Sequence, residues 1–194
     1  MGTGPRYHVA FRRRRTNQTD YHMRKAMIRS KMPRLVVRPS LKHIYIQLVE
    51  VSPSGDKILT AVCSKELEKF GWKASCKNIS AAYLSGLLLG KKALAIKVED
   101  AILDIGLRRP STGSKVFAVL KGVIDTGLKI SHGEQVLPNA ERIRGEHILL
   151  YAKKLLEEDK RGYEKQFSKG LKPEQLVDNF NHVKDNILAS LKVG

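Results

Sequence analysis

The sequence predicts an α/β domain: a mixed β-sheet, a three-strand meander plus parallel strands, with helices packed on it. A basic N-terminal arm precedes the sheet and a helical C-terminal extension follows it. Three observations lead to this reading. Strand-like runs with period two fill three consecutive segments between 34 and 64, separated by turn chemistry. Helical apolar stripes then alternate with short apolar runs, the pattern of strands joined by crossover helices. Finally, residues 1–42 hold twelve Lys and Arg against one acid, Asp20. The expected units are an arm with a short helix over 1–32, a core domain over 33–135 and the extension over 136–194.

Residues 1–18 mix Gly, Pro, Asn and arginines without a sustained period and read as an extended arm. Thr19 or Asp20 can cap a short helix that runs to about Ser30, with Tyr21, Arg24, Met27 and Ile28 on one face. Leu35–Val37 is a β-branched run stopped by Pro39. Ile44–Val51 is the second strand, Pro53-Ser54-Gly55-Asp56 the turn, and Lys57–Ser64 the third strand. Asn78 can cap a helix reaching about Leu94. Ala101–Leu107 reads as a short apolar strand.

The loop from Arg108 to Gly113 leads into a helix from about Ser114. Its apolar face is Val116, Val119, Leu120, Val123 and Ile124, with Gly127 at its stop. Leu128-Lys129-Ile130 is a last strand, parallel to the fourth because a helix connects them. Beyond Pro138 the chain is charge-dense and helical: about Asn139 to Gln166, then Pro173 to about Leu191. The second segment carries Leu176, Phe180, Val183, Ile187 and Leu191 on one side.

Charge narrows the function. The first 42 residues contribute eleven of the seventeen net positive charges. With 42% hydrophobic residues the chain still has material for a core, so the charge is added to a folded domain. Such a concentration of cations is most simply quenched by a polyphosphate. No membrane role is expected: the most apolar run, Ala81–Gly90, falls short of the about 20 residues a span needs. The N-terminus has no apolar stretch of the secretory kind, and Gly2, Gly4, Pro5 and Asp20 interrupt the helix of a mitochondrial presequence. Cys63 and Cys76 form no C-x-x-C pair and read as reduced, half-buried thiols.

Three basic stretches are candidate nucleic-acid contacts. Arg12, Arg13, Arg14 and Arg15 set four guanidinium forks within about 14 Å of extended chain. Arg6, Arg24, Arg29 and Arg34 add charge around them, and Tyr7 and Phe11 offer rings for stacking. The turn Arg38-Pro39-Ser40-Leu41-Lys42-His43 presents Arg38, Ser40, Lys42 and His43 at a sheet edge. The loop before the second core helix combines Arg108, Arg109, Ser111, Thr112 and Lys115 at a helix start, where backbone N–H groups favour anions.

No catalytic, metal or cofactor site is expected. Gly86 and Gly90 before Lys91-Lys92 miss the P-loop spacing and its Ser/Thr; glycines four apart there suit close helix–sheet packing. The six histidines form no ligand set, and Glu157-Glu158-Asp159 reads as a solvated face. The enzymatic rival is a two-metal nuclease, which needs carboxylates converging at strand ends. Only Asp104 lies inside a core strand, with Glu99 and Asp100 before it, Glu50 in the meander and Asp125 in the crossover. A non-specific RNA chaperone is the other alternative.

The segment Val37-Arg38-Pro39-Ser40-Leu41-Lys42-His43-Ile44-Tyr45-Ile46-Gln47 resembles the hallmark of the ribosomal "L-eighteen" family of the large subunit, the 5S rRNA binders. The opening Gly4–Arg15 with Thr19-Asp20-Tyr21 resembles its archaeal and eukaryotic branch. So do Phe70-Gly71-Trp72-Lys73, Leu103–Leu107, Arg142–Ile148 and the tail through Tyr163–Phe167. The bacterial branch carries a longer aromatic and basic loop where this chain has Arg108–Gly113. The resemblance implies a ribonuclease H-like topology without catalysis, in a structural protein of the cytoplasmic ribosome. It further implies docking on 5S rRNA in the central protuberance, with contacts to 23S rRNA and the "L-five" 5S-binding protein. Carried over by motif, the arm Arg6–Arg15, the turn Arg38–His43 and the loop Arg108–Lys115 would face RNA. No small-molecule substrate is implied.

Overall fold

The computed structural model describes residues 4–158, 163 and 171–190. Five strands form one sheet: β1 (Arg34–Pro39), β2 (Ile44–Ser52), β3 (Gly55–Cys63), β4 (Asp100–Asp104) and β5 (Lys129–Ile130). Their order is β3-β2-β1-β4-β5. β1–β2 and β2–β3 are antiparallel, while β1–β4 and β4–β5 are parallel. The meander and the crossover pair are thus as the period-two runs and the intervening helix predict, and the mixed order agrees with the ribonuclease H-like topology.

Alternation decides which side is core. Leu35 and Val37 on β1 and Ile44, Ile46 and Leu48 on β2 point to one face and are fully buried. Two helices cover that face, α3 (Ile79–Ala95) and α4 (Lys115–Ile124). Asn78 caps α3, its side chain accepting from Ala81 N at 2.7 Å. The opposite face carries Arg34, Val36, Arg38, Tyr45 and Gln47, and lies beneath the arm and α2 (Tyr21–Arg29).

The glycines of α3 serve a different neighbour from the one expected. A Cβ on Gly86 would fall 2.2 Å from the Val119 carbonyl oxygen, and one on Gly122 would fall 2.2 Å from that of Tyr83. The two helices therefore lie backbone against backbone, so the close contact is helix–helix rather than helix–sheet. Tyr83 adds a hydroxyl donation to Asp125 Oδ2 at 2.8 Å; burial, then that carboxylate, push its phenol above the ordinary value. Gly86→Ala is expected to cost about 1–3 kcal/mol through overpacking, despite alanine's better helix propensity. The urea midpoint of the free protein measures it; an unchanged midpoint would mean that the helices part at no cost.

Four further differences have local causes. The arm is not wholly extended: Arg12–Arg15 forms a single helical turn, α1, with Arg15 N bonded to Phe11 O and Thr16 N to Arg12 O. Arginine is a good helix former, so four in a row readily take that turn. A 3-10 helix over Ser64–Phe70, which no periodicity signals, follows β3 directly, so the strand stops at Cys63. β4 stops at Asp104, whose carboxylate accepts from Gly106 N at 2.9 Å and turns the chain out of the sheet. The long helix expected from Asn139 is broken at Gly145 (φ +88°) into α5 (Ala140–Arg144) and α6 (Glu146–Glu158). From Asp159 to Gln166 that expectation lies outside the described residues, Tyr163 excepted.

The last helix, α7 (Leu176–Ser190), buries Leu176, Phe180, Val183 and Ile187 as its spacing predicts; Leu191 lies outside the described residues. Phe180 packs on the Tyr83 ring at 5.8 Å. Asn179 and Asn186 donate to the Gly71 and Phe70 carbonyls. Beside them Trp72 is buried, its indole N–H donating to Ser75 O at 3.3 Å. Cys63 and Cys76 are free, half-buried thiols, as expected.

Candidate RNA-binding interface

The arm keeps most of its cations available, and its one acid is occupied. Asp20 Oδ1 accepts from His22 N at 2.9 Å and Met23 N at 3.2 Å, capping α2. Arg13 donates to Thr19 Oγ1 at 2.9 Å. Arg6, Arg12, Arg14, Arg15 and Arg29 are exposed and have no salt bridge among the described residues. Phe11 leans on Tyr21 with ring centroids 5.6 Å apart yet remains 75% exposed, and Tyr7 is also exposed, so both rings can receive a base.

Three other arginines are engaged by the sheet. Arg24 on α2 holds Asp56 Oδ1 at 2.8 Å, and Arg34 holds Asp56 Oδ2 at 2.8 Å and Asp104 Oδ2 at 3.0 Å. Arg38 closes the row on Asp104 Oδ1 at 2.7 Å. Arg34 is only 2% exposed, so the expectation that it faces RNA is corrected: it is a buried strut between two strands' carboxylates. Arg24 and Arg38 remain partly exposed while paired. Both Asp104 oxygens are taken by guanidinium groups, and no cluster of three metal-ligating side chains occurs among the described residues.

The turn and the loop meet. Ser40 Oγ accepts from His43 N at 3.0 Å and donates to His43 O at 2.8 Å, which closes the turn and leaves Leu41 and Lys42 outward. His43 itself is half-buried, its Nδ1 shielded from solvent, so it is not the free stacking ring expected. Arg108 donates to the Pro39 carbonyl and ties loop to turn. Gly113 N bonds to Val136 O at 2.9 Å and Ser114 N to Ser111 O at 3.1 Å, shaping the loop in front of α4. Between turn and loop lies a cleft of about 880 Å³ whose lining includes Arg108, Arg109, Ser111, Thr112 and Lys115. A second cleft, about 720 Å³, runs between the arm and the open face of the sheet past Arg13, Arg24 and Arg38. Arg108 lines both, so the clefts join at the loop, and arm, turn and loop present one connected, arginine-rich surface in which Asp56 and Asp104 offset part of the charge.

A family model described as ribosomal large subunit proteins 60S L5 and 50S L18 matches residues 5–100 and 95–133, well over half the chain. The chain belongs to that family. As an L-eighteen-type ribosomal protein its setting is the large subunit of the cytoplasmic ribosome. The matched stretch holds the arm, all five strands, α3, α4 and both basic loops; α5, α6 and α7 follow it. Arg142, on α5, also lines the first cleft and was not among the residues singled out in the sequence. Its sole sequence signal is membership of the Arg142–Ile148 motif, which says nothing of a neighbour some thirty positions earlier.

The ion pairs should make this ribosomal protein acid-sensitive. Burial raises the Asp56 carboxyl, but hydrogen bonds and charge from Arg24 and Arg34 more than offset it and hold it below the usual range. Burial likewise raises Glu66, and Lys92 with the Cys63 N–H brings it below. A depressed folded-state value means stability fully present above the unfolded range of about pH 4, and lost as pH falls through the folded values. Thermal melts at pH 7, 4.5 and 3 should show the loss below about pH 4.5. The double variant Asp56→Asn, Glu66→Gln should lose less over that window; equal losses would dismiss these two pairs as the cause.

Proposed function

We propose that this protein is a non-catalytic constituent of the large subunit that binds 5S rRNA. It helps anchor that RNA to 23S rRNA in the central protuberance, beside the L-five protein. In this reading residues 1–32 are the arm that tracks phosphates, residues 33–135 the rigid mount and residues 136–194 an extension of it. The observation that carries the reading is the connected basic surface of arm, turn and loop in a member of this ribosomal family. Guanidinium and ammonium groups neutralise phosphates, the core supplies shape, and Tyr7 and Phe11 stack on splayed bases.

Binding to purified 5S rRNA should therefore be steeply salt-dependent. With about 6–10 phosphates contacted, affinity falls roughly 10³–10⁵-fold between 50 and 200 mM salt by the duplex rule, somewhat less for single strands. A nearly flat salt profile overturns the proposal. Equal affinity for unrelated RNAs of the same length would replace it with a chaperone lacking a fixed site.

A further inference from the structure

We propose that the cleft between the β1–β2 turn, the loop before α4 and α5 receives one unstacked nucleotide of the bound RNA, with Arg142 as the cation that closes it. The inference rests on the RNA-binding reading above and adds the conformation of the RNA at this place. Size is the first argument. At about 880 Å³ the cleft has the dimensions of a small-ligand site, roughly 300–1,000 Å³, and a base can enter it only after leaving its stack.

Lining chemistry is the second. Pro39, Leu41, Ile79 and Val116 supply apolar wall, and Leu41 stands 88% exposed at the turn. An apolar side chain held out in this way is what a base face would cover. Among the described residues no carboxylate lines the cleft. Its cations come from two directions: Arg108 and Arg109 from the core loop with Lys115 at the start of α4, and Arg142 from α5. A base against the apolar wall then places its flanking phosphates among guanidinium forks. The hydroxyls of Ser111 and Thr112 are at hand for a ribose 2′-OH or a base edge.

Arg142 is the informative member. It lies outside residues 5–133, the stretch the family model matches. Its neighbour Arg144 is paired with Glu146 at 3.6 Å, whereas Arg142 is exposed and has no salt bridge among the described residues. The buried Ile143 between them anchors α5, so Arg142 is carried on a fixed support at the cleft rim.

The test compares wild type, Arg142→Ala and Leu41→Ser on three probes: 5S rRNA, a single-stranded ten-nucleotide RNA and a fully paired sixteen-base-pair RNA. Both side chains are exposed, and circular dichroism is the check that the variants fold. Arg142→Ala is expected to weaken 5S rRNA and single-strand binding about fivefold near 0.15 M salt and to flatten the salt slope by about 0.7–0.9. Leu41→Ser should weaken the same two probes without changing the slope. Neither should alter duplex binding. Equal losses on duplex and single strand, or unchanged 5S rRNA binding by both variants, overturn the nucleotide cleft while leaving 5S rRNA recognition standing. Wild type that fails to prefer 5S rRNA sinks the underlying reading instead.

Discussion

Replacing Arg34 with alanine is expected to destabilise the free protein by about 3–5 kcal/mol, a fall in Tm of roughly 6–20 °C for a chain of this size. The reason is geometric. Arg34 is 2% exposed and bridges Asp56 and Asp104, so its removal strands the Asp104 charge that the sheet has taken from water and loosens the more exposed Asp56. Asp104 keeps Arg38 and Asp56 keeps Arg24, which argues for the lower half of the range. Lysine should restore little, because a single ammonium cannot bridge two carboxylates as the planar fork does. Thermal denaturation of Arg34→Ala and Arg34→Lys measures this. An RNA-facing Arg34 would leave the free protein's Tm unchanged and weaken only RNA binding, and that result would refute the buried strut.

Replacing Arg12, Arg13, Arg14 and Arg15 together with alanine should do the opposite. All four are exposed, and Arg13 alone has a side-chain hydrogen bond among the described residues, to Thr19. Stability of the free protein should stay within about 0.5 kcal/mol, as for surface changes generally, and alanine preserves the helical turn. RNA binding should suffer heavily. Four lost phosphate contacts flatten the slope of log affinity against log salt by about 3–3.5, which corresponds to roughly 10²–10³-fold at 0.15 M. Filter binding to 5S rRNA across a salt series reads both quantities. A lowered Tm with an unchanged slope would mean that the cluster packs internally rather than waiting for phosphate.

These two variants also mark what the chain discloses about itself. Exposed charge is legible: Arg6, Arg12, Arg14, Arg15 and Arg29 are separated from acid in sequence and form no salt bridge among the described residues, while Asp20 is spent on the cap of α2 and Arg24 alone of the arm's arginines reaches a carboxylate, that of Asp56. The meander, α3, α4 and the parallel β5 are legible because alternation, stripe, cap and stop agree at each of them. Arg34 was misread because its partners lie 22 and 70 positions away, and no local pattern separates a paired arginine from a free one. The 3-10 segment over Ser64–Phe70 has no usable period, and Gly145 interrupts a stretch whose composition is helical on both sides. The cleft was half legible. Its turn and loop were singled out separately, but their meeting through Arg108 and the arrival of Arg142 depend on topology.

Trp72 is the chain's one tryptophan; it is buried, its chain neighbours Gly71 and Lys73 bond to Asn179 of α7, and it lines neither basic cleft. Its fluorescence therefore reports on the core beside the Gly71 and Lys73 anchors of α7. Ribonucleic acid arriving at the arm should leave the emission colour untouched, while peeling away the last helix should shift it to the red. One optical signal thus separates loss of the scaffold from loss of the ligand in every variant described above.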